Sequence, residues 1–177
     1  MSDQPIAVKL EHEFDEKRCR HYLNGQLSVL HCHHYASLYT QLAMDAEFID
    51  AKAILAQSAE DSFFDMLSDY YQAHPGLTPD EKLEVGCRYY ATTGLGQMKV
   101  LSARETSGEV ALEHSHVDEG WIKKWGKHDK AVNSITCGYI AALFAAAYGK
   151  AARSYAVSEV ESIVTGADKS RFAVNAN

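Results

Sequence analysis

Apolar residues recur at three- and four-residue spacing in two stretches of the first half of the chain. This period is typical of amphipathic helices, and it predicts helices over 33–46 and 50–74. A third helix is predicted from Thr78 to about Tyr90. The sequence Thr-Pro-Asp-Glu at its start provides an N-cap, a first-turn proline and acidic residues at the positive end of the helix dipole.

Alternating apolar and polar residues, separated by turn residues, predict three hairpins. The first lies within 19–30 and is centred on Asn24-Gly25, a pair that suits the positive φ angles of a type I′ turn. The other two span 98–116, with a turn at 107–108, and 153–174. Hairpins interspersed with helices predict an α+β fold.

The segment between the second and third hairpins combines two different patterns. Residues 121–130 are basic and aromatic without a clear period, and we expect an irregular connector there. Residues 131–148 are rich in alanine and other apolar residues, and we expect a core helix. Gly138 lies inside this helix, where glycine costs about 1 kcal/mol relative to alanine. A close approach of another element to Gly138 would offset that cost.

Composition narrows the classes of protein to consider. The 177 residues fit one domain, 1–177, and the net charge of −7 without a basic stripe argues against nucleic-acid binding. The polar N-terminus and the short apolar runs predict no membrane segment. Four scattered cysteines, with no Cys-x-x-Cys pair, favour the reducing cytoplasm.

Histidines form the most unusual chemical pattern. Residues 31–34 read His-Cys-His-His, and a helix would place His31 and His34 on one face. His114 and His116 would share one face of a strand. Because imidazole binds zinc and iron well, these four residues are predicted ligands of a transition metal.

Simpler interpretations of these residues stay open. Any single histidine can be a polar helix start or a hydrogen-bonded core residue, and Cys32 beside a histidine base would be a nucleophile. Walker, dinucleotide-binding, serine-elbow and His-Glu-x-x-His motifs are absent from the sequence.

The stretch 132–174 carries a resemblance to a known family. Its alanine-rich helix contains Cys137-Gly138-Tyr139, and the hairpin that follows holds the acidic pair Glu159 and Glu161. Residues 97–174 as a whole resemble the C-terminal half of the 4-vinyl reductase domain. This family comprises small-molecule-binding domains, including the sensor parts of aromatic-responsive regulators.

The predicted elements divide the chain into an N-terminal arm and hairpin over 1–30, a helical part over 31–93, and the part over 97–174 that resembles the family. The resemblance implies the arrangement of this last part. The last two hairpins would form a four-stranded antiparallel sheet packed against helices. The fold of this family is similar to that of trafficking-particle subunits, which are often dimers, so we expect a homodimer.

The resemblance also implies a pocket between the helices and the sheet. Its ligand would be apolar, aromatic or tetrapyrrole-like, although plain core packing would explain most of the aromatic residues equally well. The implied ligand-binding residues are His114, His116, Trp121, Trp125, Tyr139 and Phe144.

Sensors of this type hold a structural zinc ion, and the corresponding positions here are Glu159, Ser162, Ser170 and Cys137. Serine stands where the family has two thiolates, and serine is a poor zinc ligand. We therefore expect that this zinc site is absent.

The sequence is consistent with three functions. The first is a carrier or sensor of a small molecule. The second is a metal-dependent hydrolase or reductase that uses the histidines in the same pocket. The third is an assembly module that serves only protein partners.

Overall fold

A computed structural model describes residue 8 and residues 11–177 of the chain. Most of the predicted N-terminal arm therefore lies outside the described residues. The elements in chain order are β1 His12–Asp15, β2 Arg20–Leu23, β3 Gln26–Ser28, α1 His33–Asp45, α2 Ala51–Ala73, α3 Pro79–Thr92, β4 Gly96–Arg104, β5 Ser107–Ser115, α4 His116–Trp125, α5 Ser134–Ala147, β6 Tyr155–Glu161 and β7 Ser170–Ala176. None of the described helices is long and apolar enough to cross a membrane.

Two antiparallel sheets organise the strands. The larger has the order β4-β5-β7-β6, so its two hairpins join through β5 and β7. The smaller pairs β1, β2 and β3 in sequence order. Its second turn has φ angles of 49° at Asn24 and 78° at Gly25, which fit the predicted type I′ hairpin. The α+β fold with a four-stranded antiparallel sheet against helices is confirmed.

The first three helices follow the predicted pattern closely. Asp50 caps α2 by accepting a hydrogen bond from the Ala53 amide at 3.0 Å. At the start of α3, the Thr78 side chain accepts from the Glu81 amide and the Glu81 carboxylate accepts from the Thr78 amide. This reciprocal capping box satisfies two backbone donors that the first helical turn otherwise leaves unpaired.

The segment 121–130 is not an irregular connector throughout, because its first five residues complete helix α4. Ser115 caps this helix, since its hydroxyl accepts from the Asp118 amide at 3.0 Å. Acidic residues in the first turn and lysines in the last complement the helix dipole. Gly126, with φ at 80°, ends the helix.

Two smaller expectations are also corrected. The turn between β4 and β5 lies at 105–106, two residues before the expected 107–108. His116 begins α4 and does not continue β5, so it does not share a strand face with His114. The second difference has a local cause, because β5 stops at Ser115, whose hydroxyl caps the helix that begins at His116.

Most of the buried apolar residues form one cluster, the main core, between α2, α3, α5 and the large sheet. It includes Leu67, Tyr90, Val110, Tyr139, Leu143 and Phe172. A Cβ atom on Gly138 would lie 2.0 Å from the Ala56 carbonyl oxygen of α2. The expected close approach at Gly138 is confirmed, because only glycine lets α2 and α5 come this near.

A second, smaller cluster lies apart from the first. This satellite core joins α1 and α4 to the loop before α5 and the turn after β6. Its buried members are Ala36, Val117, Trp121, Val132 and Val164.

Candidate ligand-binding site

Helix α4 packs directly against the start of α1. A Cβ atom on Gly120 would lie 2.8 Å from the His33 Cβ and 3.1 Å from the Ser37 hydroxyl oxygen. The two helices therefore meet closely at one face of α4. The opposite face of α4 points towards a buried polar network described below.

Four buried polar side-chain atoms of α1 and α4 have no hydrogen-bond partner among the described residues. They are His33 Nε2, Ser37 Oγ, His116 Nε2 and Trp121 Nε1. Such atoms are rare in folded proteins, and each left unpaired costs about 1–3 kcal/mol. Four of them on two facing helices indicate a place where a molecule from outside the chain completes the hydrogen bonding.

Imidazole rings surround this interface. The rings of His31 and His116 are 5.3 Å apart between centroids, and those of His33 and His116 are 6.4 Å apart. Burial, followed by the charges of His31 and His33, lowers the pKa of His116. Burial and the neighbouring His34 also lower the pKa of His33. Both rings are thus neutral at pH 7, and each offers one donor and one acceptor.

The four histidines predicted as metal ligands do not come together as a set. His34 stacks on His33 at 4.3 Å, and His114 is exposed on β5 with its Nδ1 3.6 Å from the Glu119 carboxylate. In the described part of the chain, no group of three or more His, Cys, Asp or Glu side chains is placed to hold a metal ion. The geometry therefore gives the predicted metal centre no support.

Beneath the other face of α4 lies a buried network built around Asn133. The Asn133 amide nitrogen Nδ2 donates to both Asp118 carboxylate oxygens at 3.0 and 2.9 Å and to Glu159 Oε1 at 2.8 Å. Its backbone N–H donates to Glu159 Oε2 at 3.1 Å. The Ser170 hydroxyl donates to Asp118 Oδ2 at 3.1 Å. One asparagine thus bridges two carboxylates.

Burial is the main cause that raises the pKa of both Asp118 and Glu159, and the hydrogen bonds from Asn133 oppose it. The positions that the resemblance assigned to zinc ligands, Glu159, Ser162, Ser170 and Cys137, gather around this network. Burial raises the pKa of the Cys137 thiol to about 12, which keeps it protonated at neutral pH. Absence of the family's zinc stays a prediction.

Several solved structures share this fold. The phenol-responsive sensory domain of the transcription activator PoxR, solved with phenol, matches with a TM-score of 0.76 at 18% identity. The match covers 93% of this chain and 84% of that domain. At such low identity, the match establishes a shared fold alone.

The second neighbour is trafficking protein particle complex subunit 3 from Naegleria fowleri, solved covalently bound to palmitic acid. Its TM-score is 0.52 at 14% identity, over 81% of this chain and 91% of that subunit. The expected similarity to the trafficking-particle fold is confirmed. No protein-family model and no curated protein matches the sequence.

The six predicted ligand-binding residues divide between different parts of the molecule. Tyr139 and Phe144 are fully buried in the main core, and the Tyr139 hydroxyl donates to the Gly86 carbonyl at 2.6 Å. Trp121 belongs to the satellite core and His116 to the α1–α4 interface. Trp125 is 40% exposed, beneath the Lys124 ammonium. The structure therefore brings only His116 and Trp121 of the six to the unpartnered atoms.

Two cavities lie elsewhere on the described surface. One of about 470 Å³ lies between the small sheet, α2 and α3, and another of about 920 Å³ lies between α3 and β4. Neither is lined by any of the six predicted residues.

Sequence reasoning missed His33, Ser37, Asp118 and Asn133. The spacing Ser115-x-x-Asp118 is a helix-start pattern, and it would have predicted α4 and the N-terminal position of Asp118. No local pattern identifies His33, Ser37 or Asn133, because their roles depend on elements that meet only in the folded chain.

Proposed function

We propose that this chain is a small-molecule sensor or binding domain, and that its ligand is a small aromatic molecule with a hydroxyl group, such as phenol. The observation that carries the proposal is the set of four buried, unpartnered polar atoms on α1 and α4. A hydroxyl both donates and accepts, so it can satisfy Trp121 Nε1, which only donates, and a neutral imidazole.

The surroundings of these atoms suit the rest of such a ligand. The satellite core offers apolar contact through Val117 and Val132 and an aromatic surface through Trp121. Binding sites for small molecules combine mostly apolar walls with a few placed polar groups. The neighbouring PoxR domain responds to phenol, which supports the same chemical class here.

A ligand that binds between α1 and α4 would also change the conformation of the chain, and such a change can signal that the ligand is bound. Gly120 holds the two helices so close that a ligand must shift α1 relative to α4. A ligand that binds only the shifted arrangement moves the population towards it. This coupling favours a sensor over a passive carrier.

Two further features of the biology are proposed. A homodimer is supported by the outer face of α1, where Tyr35, Leu38 and Leu42 are exposed. A cytoplasmic location is supported by the four cysteines, all of which are free thiols. No observation favours the metal-dependent enzyme, and we do not propose it.

Titration calorimetry with phenol tests the ligand proposal. Trp121→Phe keeps the ring and removes the N–H, and Trp125→Phe is the matched control at an exposed tryptophan. We expect Trp121→Phe to weaken phenol binding about tenfold, as the loss of one buried hydrogen bond predicts, and Trp125→Phe to leave it unchanged. Equal affinities in the two variants, or no binding of phenol to the wild type, would overturn the proposal.

A further inference from the structure

The smaller of the two cavities has the features of a second binding site. Its walls come from the small sheet, from one face of α2 and from Tyr89 of α3. Its volume of about 470 Å³ falls within the range of roughly 300–1,000 Å³ found for small-molecule sites. The volume alone does not indicate which class of ligand would bind, but the side chains that line the cavity do.

Two polar groups in the lining are buried and unpartnered. Tyr89 is 1% exposed, and its hydroxyl oxygen has no hydrogen-bond partner. Asn24 Oδ1 accepts from the Glu11 amide at 2.8 Å, which fixes the side-chain amide, while its Nδ2 is buried without a partner. Burial raises the pKa of Tyr89, and the nearby Asn24 side chain opposes this effect. The two groups are therefore neighbours, but their contact does not meet the geometry of a hydrogen bond.

The lining is also acidic and aromatic. Among the described residues of the lining, Glu11 and Asp69 are acidic and none is lysine or arginine. Asp69 Oδ2 accepts a hydrogen bond from the Gln26 amide at 3.2 Å, a neutral partner that leaves the negative charge in place. Walls of one charge raise the local concentration of ligands of the opposite charge.

An aromatic shelf completes the cavity. The rings of Tyr70 and His74 stack at 4.1 Å with an interplanar angle of 18°. His74 Nδ1 donates to the Tyr70 carbonyl at 2.8 Å, because a carbonyl can only accept. A neutral imidazole in this orientation presents Nε2 as an acceptor. The faces of such rings also attract cations.

We propose that this cavity binds a small organic cation that carries a primary ammonium group and, a few atoms away, a hydroxyl or carbonyl oxygen. Asp69 and His74 Nε2 accept hydrogen bonds from the ammonium group. Asn24 Nδ2 donates to the oxygen, and the Tyr89 hydroxyl completes its hydrogen bonding. This site is separate from the α1–α4 interface, and it stands whether or not that interface binds phenol.

Titration calorimetry with 2-amino-1-phenylethanol tests this site, with 1-phenylethanol as the neutral control that lacks the ammonium group. Asp69→Asn removes the charge and keeps the shape, and Tyr89→Phe removes the unpartnered hydroxyl. Asp65→Asn is the matched control, because Asp65 is exposed on α2 and does not line the cavity. Trp121→Phe tests independence from the first site.

The amine should bind the wild type, and added salt should weaken it, as expected for a charged pair. Asp69→Asn should weaken binding about tenfold or more, since hydrogen bonds to charged groups are strong, and Tyr89→Phe should weaken it several-fold. Asp65→Asn and Trp121→Phe should leave it unchanged. The melting temperature of each variant checks that it folds.

Four results would overturn the proposal. The first is no binding of the amine by the wild type. The second is equal binding of 1-phenylethanol, which would mean that charge is not recognised. The third is an equal loss in Asp69→Asn and Asp65→Asn, which would reduce the effect to long-range charge. Loss of amine binding in Trp121→Phe would instead place the amine at the α1–α4 interface and also contradict a separate site.

Discussion

The main core and the satellite core treat buried polar groups in opposite ways. In the main core, the Tyr139 hydroxyl donates to the Gly86 backbone carbonyl, and the Tyr71 hydroxyl donates to the Lys82 backbone carbonyl. The Tyr90 hydroxyl forms a hydrogen bond with the Thr136 hydroxyl at 2.9 Å. Around the satellite core, four polar atoms have no partner. Buried polar groups that are fully paired fix one arrangement. Unpaired ones mark a place where stability is given up for function.

The contacts around two buried glycines, Gly138 and Gly120, differ in the same way between the two cores. At Gly138, the nearest atom to an added Cβ would be backbone, the Ala56 carbonyl oxygen. At Gly120, it would be the His33 side-chain Cβ, at a longer distance. Both contacts are shorter than real Cβ atoms show, so an element must move in either case. The overlap at Gly120 is the smaller one, so a smaller shift of α1 relieves it. The main core is therefore the rigid part, and the α1–α4 interface is the part that can respond.

The largest effect is expected from Gly138→Ala. The new methyl group would overlap the α2 backbone and force α2 and α5 apart, which should lower the free energy of unfolding by about 3 kcal/mol. Chemical denaturation measures this loss. Gly86→Ala is the control, because its Cβ would meet Leu143 Cδ1, the end of a flexible side chain. If Gly138→Ala lowered the free energy of unfolding by less than Gly86→Ala does, the rigid packing of α2 against α5 would be contradicted.

A smaller effect is expected from Gly120→Ala. The contact at 2.8 Å involves a side-chain atom at the start of α1, so a loss of about 1–2 kcal/mol is expected. Hydrogen exchange should show that the amides of α1 become less protected while those of α5 keep their protection. Loss of protection in α5 as well would mean that the two cores unfold as one unit.

The same contrast explains what could be predicted from the sequence. The main core is built from long periodic helices and alternating strands, and these patterns predicted the three helices, the hairpins and the buried helix around Gly138. Local capping by Thr78 and the turn at Asn24-Gly25 agreed with that global pattern. Where local and global preferences agree, sequence patterns are informative.

The site was harder to predict, because its residues meet only through tertiary packing. His33 was seen as part of a histidine run, but its partner across the interface is His116 of α4, in a segment whose helix was only partly expected. The predicted pocket relied on Tyr139 and Phe144, which are large aromatic residues of the main core. Their burial follows from size and apolar surface, and nothing in their spacing distinguishes a core residue from a ligand contact.

The buried carboxylates predict a pH dependence of stability. Burial raises the pKa of Asp118 and Glu159, so the folded chain holds a proton that the unfolded chain releases as the pH rises above the ordinary carboxyl range. Stability from this pair is therefore lost as the pH rises through that range towards the raised pKa values. Glu119 adds to the effect through its charge on Asp118.

Asp118→Asn isolates this contribution, since it removes one charge and keeps the shape. Relative to the wild type, the variant should gain stability at pH 7 and lose that gain as the pH falls to 4. Denaturation midpoints over this range measure the difference. Glu119→Gln, at an exposed neighbour, should reproduce only a small part of it. A difference that does not change with pH would show that the pair is not protonated by burial.

The smallest effect on the fold is expected at the outer face of α1. Tyr35, Leu38 and Leu42 are exposed there at helical spacing, and α1 contains no lysine, arginine or glutamate. An uncharged apolar stripe can face a second copy of itself without repulsion. Leu38→Glu with Leu42→Glu should change the free energy of unfolding of each chain by only about 0.5 kcal/mol, because neither side chain belongs to a core.

The pair of substitutions should nevertheless convert a dimer into a monomer in sedimentation equilibrium. Val160→Glu, at an exposed apolar residue of β6, is the control and should leave the association unchanged. If the wild type is a monomer, the exposed stripe has another partner and the proposed homodimer is wrong. If the double variant still dimerises, the dimer uses a different surface. Either result would separate the proposed ligand site on the inner face of α1 from any role of its outer face.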